Sequence, residues 1–83
     1  MTMNQNNKDF RTADLALTAA LCVSGFVVDE VEKIDARRSV FIFFDNTAEL
    51  QEAVNKYWRQ EMRVEPQDYF NQLKIIKARL YER

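Results

Sequence analysis

The sequence holds no histidine, one cysteine (Cys22), one glycine (Gly25) and one proline (Pro66). Without histidine the commonest general base and the commonest metal ligand are missing. That excludes a Cys–His dyad, a Ser–His–Asp triad and zinc sites of the usual kind. A lone cysteine forms no intrachain disulfide. Within Ala19-Ala20-Leu21-Cys22-Val23 it reads as a small buried hydrophobe rather than a nucleophile. A single glycine at a helix end cannot build a phosphate-cradling loop. Neither sign of charge is in excess: 12 basic residues stand against 13 acidic ones, a net charge of −1. The chain as a whole is therefore not drawn to nucleic acid or anionic membranes, and such binding would need a local patch.

Long apolar runs are also absent. Lys8 and Arg11 precede an apolar stretch, Ala13 to Val23, that superficially resembles a signal peptide. Asp9 and Asp14 oppose that reading, and no small-residue cleavage site follows. Leu21 stands where a lipoprotein before Cys22 would need a small residue. The stretch is too short to span a bilayer. The expectation is a cytoplasmic protein.

Apolar residues make up 47% of the 83 and charged ones 30%, which suits one small globular domain. Residues 1–9 read as a mobile polar tail and 10–83 as a single α+β domain. A first helix is predicted over Ala13–Ser24, with Thr12 as N-cap and Gly25 in the left-handed position after its end. It is apolar nearly all round, so several sides should be covered. Strands follow at Phe26–Glu32 and Ser39–Phe44, joined by a hairpin-length loop. Asn46 with Glu49 has the logic of a capping box for a second helix running to about Met62. Its stripe is Leu50, Ala53, Val54, Tyr57, Trp58 and Met62. Pro66 suits the first position of a third helix, with the stripe Tyr69, Phe70, Leu73, Ile76 and Leu80. The predicted order is α-β-β-α-α, a β-hairpin packed against three helices.

Several fragments in this order carry a resemblance. They are Thr12-x-Asp14-Leu15-Ala16-Leu17, Gly25-Phe26, Val40-Phe41-Ile42-Phe43, Tyr57-Trp58, Val64-Glu65-Pro66 and Tyr69-Phe70-x-x-Leu73-Lys74-x-x-Lys77-Ala78-Arg79. Together they resemble a family of short bacterial and phage proteins classed as a domain of unknown function. The resemblance covers nearly the whole chain after the tail. It implies small stand-alone proteins of bacteria and their mobile elements, and it carries no activity or binding residues.

The residues that invite a functional reading each have a plainer one. Tyr57 and Trp58 could stack on bases or grip a peptide, but their helical spacing suits the core. Lys77 intrudes on the apolar face of the third helix. It either snorkels to water, pairs with Asp14 or Asp45, or binds an anion. Arg37 and Arg38 near the hairpin, and Lys74, Lys77 and Arg79 on the third helix, form a nucleic-acid surface if they share a face. Asp29, Glu30, Glu32 and Asp35 would cancel much of that field. Strand alternation points Asp29, Glu30 and Glu32 to opposite faces, which is wrong for a metal. No catalytic residue, metal site or cofactor is expected, and an enzyme is not the reading favoured.

The strongest signal is the run Val40, Phe41, Ile42, Phe43, Phe44, apolar on both faces of one strand. A two-stranded hairpin is marginal alone and exposes its edges. Either the helices cover both faces, or a second copy covers one face or extends the sheet. The reading favours a homodimer. The function expected is a non-enzymatic accessory or protein-interaction domain that self-associates, with a small nucleic-acid-binding protein as the alternative.

Overall fold

The structure, a computed structural model, describes residues 9–81. Almost all of the segment read as a mobile tail, residues 1–8, lies outside the described residues. The elements run β1 (Phe10–Thr12), α1 (Leu15–Val23), β2 (Glu30–Lys33), β3 (Ser39–Phe43), α2 (Ala48–Trp58) and α3 (Pro66–Leu80). The fold is α+β. The α-β-β-α-α order holds, preceded by a short strand that the sequence pattern does not announce. That strand turns the hairpin into a three-stranded antiparallel sheet of order β1-β3-β2.

Local chemistry sets the helix ends. Thr12 ends β1 instead of capping α1. Its hydroxyl accepts the Asp14 N–H at 3.1 Å, and Asp14 is the cap, accepting the Leu17 N–H at 3.0 Å. At the other end Gly25 has φ 106°, and Phe26 folds back to donate its N–H to the Leu21 carbonyl at 3.0 Å, as its position after the helix predicts. Thr47, one residue later than the expected Asn46, caps α2 by accepting the Leu50 N–H at 3.1 Å. The helix stops at Trp58, short of Met62. The N–H groups of Gln60 and Glu61 close on the Tyr57 and Lys56 carbonyls, with Gln60 at φ 63° in a seat that usually belongs to glycine. Glu65 caps α3, and Pro66 opens it.

The three helices meet the sheet on one face. Phe41 and Phe43 of β3 share one core with Leu17 and Leu21 of α1, Leu50 and Val54 of α2, and Ile76 of α3. The mid-section of α1, Leu17 to Leu21, is wholly buried, as its all-round apolarity requires. Thr18 is the buried polar side chain there, and its hydroxyl donates to the Asp14 carbonyl at 2.8 Å. Among the described residues no helix is long and apolar enough to cross a membrane.

Candidate functional site

Strand alternation divides the Val40–Phe44 run. Phe41 and Phe43 point to the helices, and Val40, Ile42 and Phe44 to the opposite side. The register sets Arg11 and Glu30 beside Ile42, and Glu32 beside Val40, on that second side. There Arg11 Nη1 meets Glu32 Oε1 at 2.9 Å across the central strand. Phe41, Ile42 and Phe43 are each only 2% exposed and Val40 is half-buried, whereas Phe44 is 46% exposed. The middle of the run is thus enclosed by its own chain. Phe41, Ile42 and Phe43 therefore offer no surface to a second copy. Of the five, Phe44 and part of Val40 remain accessible.

Phe44 is tied through its backbone to a second segment that exposes an apolar side chain. After Gly25 the chain is extended through Phe26–Asp29 but is not part of the β2 ladder. Val28 turns into the core, and Val27, 68% exposed, turns out. The Leu21 carbonyl holds its Phe26 end, and its Asp29 end is tied twice. The Asp29 N–H donates to the Ile42 carbonyl at 2.8 Å, and the Asp29 carboxylate accepts the Phe44 N–H at 2.7 Å. Ile42, paired with Glu30, thereby faces two residues of the neighbouring chain, as at a β-bulge. A trans peptide that aims the Asp29 N–H at β3 aims the Val28 carbonyl outward. Arg79 of α3 takes that carbonyl with Nη1 at 2.9 Å. Phe26 and Val27 then line a shallow groove with Cys22, Ile75 and Arg79, and a second depression, lined also by Asp29, leads toward the end of β3. Ile75 is 53% exposed. Burial pushes the Cys22 thiol above its usual pKa, against smaller opposing effects of the Val28 backbone and Arg79. It is a poor nucleophile there.

The five basic candidates are not equivalent. Arg79 is spent on Val28. Arg38 pairs with Asp35, Nε to Oδ2 at 3.0 Å, and Asp35 also accepts the backbone N–H groups of Arg37 and Arg38. Those contacts, the Arg37 N–H foremost, hold the Asp35 carboxyl below its usual pKa. Among the described residues no hydrogen bond or ion pair engages the side chains of Arg37 or Lys77. Lys77 is exposed rather than paired with Asp14 or Asp45. The ammonium of Lys74 lies 5.3 Å from the centre of the Phe70 ring. Arg37 and Arg38 line a shallow depression with Leu80, so the hairpin and the end of α3 adjoin.

The aromatic pair also divides. Tyr57 is half-buried. Burial first, then the Asp14 carboxylate and Tyr69, pushes its hydroxyl pKa up. Trp58 packs edge-on against Tyr57, with ring centroids 5.0 Å apart, but is 60% exposed and does not fill the core. Glu52 faces Arg59 at 3.8 Å. A depression of about 470 Å³ lies between Ser24, α2 and the following link. Glu49, Glu52 and Glu61 are mixed there with Lys56 and Arg63. Among the described residues no group of acidic or cysteine side chains is arranged to hold a metal ion.

Sequence patterning read Val27 as part of a strand because it is β-branched, and it left Ile75 outside the third-helix stripe without marking it as an exposed apolar residue. It also placed Phe70 in the buried stripe. Tyr69 and Phe70 are adjacent, about 100° apart on a helix, and that spacing is the signal that one of them must face out.

The model of one protein family, Domain of unknown function (DUF5659), matches residues 7–82. No curated protein and no solved structure matches the chain.

Proposed function

The chain belongs to the DUF5659 family, a domain of unknown function, and we propose that it works as a small non-enzymatic protein-interaction domain that self-associates as a homodimer. The observation that carries this reading is the outward Val27, 68% exposed on a backbone fixed by Asp29 on one side and Arg79 on the other. An apolar side chain on a mobile loop loses ordering entropy when it binds. One already fixed does not, so its burial converts more fully into affinity. Ile75 and Phe26 extend the surface on one side, and on the other the backbone bond from Phe44 to Asp29 brings a further exposed ring, 46% accessible, to the same region. A two-fold arrangement setting this surface against itself is the commonest way for a small domain to cover such a face. A stable interface buries roughly 800 Å² per partner, so contact has to spread over the whole strip from Ile75 to Phe44.

The test is light scattering after size-exclusion chromatography at tens of micromolar protein. The expected mass is that of two chains, with Val27→Asp and Ile75→Asp each giving one chain and an unchanged circular-dichroism spectrum. A wild-type protein that elutes as one chain at that concentration overturns the self-association. A dimer untouched by either substitution moves the interface elsewhere.

A further inference from the structure

The flank of α3 opposite Ile75 carries a different chemistry. Phe70, Lys74, Lys77 and Tyr81 follow at spacings of four, three and four residues, which aligns them in one stripe about 16 Å long. All four are exposed, Phe70 by 58% and Tyr81 by 80%. From Tyr69 to Tyr81 the chain has no acidic side chain. At the C-terminal end of the stripe the depression shared by Leu80, Arg37 and Arg38 brings the hairpin alongside. Arg38 is matched by Asp35 and Arg79 by the Val28 carbonyl, so of the five basic candidates Arg37, Lys74 and Lys77 have no hydrogen-bonded or ion-paired partner among the described residues.

The pairing of ring and cation narrows what fits. An acidic peptide would satisfy the ammonium groups and leave both rings in water. An apolar protein face would cover the rings and bury unpaired charge at a cost. A duplex presents phosphates but keeps its base faces stacked inside. A flexible anionic backbone bearing flat, accessible rings satisfies both halves at once. The geometry points to a binding strip for single-stranded nucleic acid, with phosphates on Lys74, Lys77 and Arg37 and bases against Phe70 and Tyr81. The near-zero net charge of the chain and Asp35 beside Arg37 keep the field of the strip modest, so binding rests on the local cations of the acid-free stretch Tyr69–Tyr81 together with its rings.

The test is fluorescence anisotropy with short labelled oligothymidine and oligouridine at low salt, followed by a salt titration. Three phosphate contacts at about 0.7 each give a log–log salt slope of about −2. The double variant Lys74→Gln with Lys77→Gln should lose more than half of that slope. Phe70→Ala and Tyr81→Ala should each weaken binding roughly tenfold with the slope unchanged, and Phe70→Trp should restore it. Ile75→Asp, on the other flank, should bind as wild type. The inference is overturned by absence of binding at low salt, by aromatic variants that bind normally, by a preference for duplex, or by polyglutamate competing as well as the oligonucleotides. Far-UV circular dichroism of each variant separates lost contacts from lost fold.

Discussion

Arg11 and Glu32 come together at 2.9 Å over the central strand, although each belongs to a different edge strand and neither is adjacent to the other in the sheet. Both are about half exposed, so the charge itself contributes little. The stems contribute more, since Arg11 is the cross-strand neighbour of Ile42 and Glu32 that of Val40 on the outer side of β3. Replacing Glu32 with Gln should change unfolding free energy by no more than about 0.5 kcal/mol, and the change should vanish in high salt. Arg11→Ala should cost more, about 1 kcal/mol, and keep that cost in high salt. Urea unfolding at two ionic strengths distinguishes the two.

Two aromatic residues of one strand should behave in opposite ways. Phe41→Ala removes a ring from the middle of the core and should cost about 3–5 kcal/mol. That is enough to unfold most of a domain this small at ambient temperature. Phe44→Ala should leave the monomer's stability within about 1 kcal/mol. Thermal unfolding followed by circular dichroism reads both.

The two left-handed helix ends give a matched pair. Gln60→Gly should stabilise the fold by about 1 kcal/mol, because glycine carries no steric penalty at that φ. Gly25→Ala should destabilise it by about 1–2 kcal/mol. No atom lies within 4 Å of where the new methyl would sit, so the cost is backbone strain, not collision. Chemical denaturation of both variants should show midpoints moving in opposite directions.

The hairpin carries a pH signature. Asp35 is held below its usual pKa by the Arg37 and Arg38 N–H groups and the Arg38 side chain. A carboxyl lowered in the folded state stabilises it above the unfolded-state pKa, and that contribution is lost as pH falls through the folded-state value. Carbon-detected NMR titration should find Asp35 still ionised where an ordinary aspartate is protonated. Asp35→Asn should remove the dependence and leave Arg38 without its partner.

The helix starts and stops were legible in the sequence to within a few residues because caps are local chemistry. Pro66 and Gly25 sit where their backbone preferences put them. The short strand Phe10–Thr12 was not legible. Three residues have no period to detect, and their strand character comes from pairing with Phe43, Ile42 and Phe41 far along the chain. The same limit explains the Val40–Phe44 run. Its two-sided apolarity is plain in the sequence, but the neighbours of Ile42 in the sheet are Arg11 and Glu30 from distant segments, a pairing that no window of residues reveals. Arg79 read as a free cation for a like reason, since its partner is a backbone carbonyl and carbonyls leave no mark on the residue types.

The guanidinium on Val28 has a consequence for how any assembly grows. It blocks an outward-facing carbonyl beside β2, whose own residues Glu30, Glu32 and Lys33 are charged, while the opposite margin, β1, is only three residues long. Both borders are thus blunted against the addition of a further strand and against ladder-by-ladder growth into fibrils. The self-association proposed above would then run through side chains, where a single substitution can dissolve it.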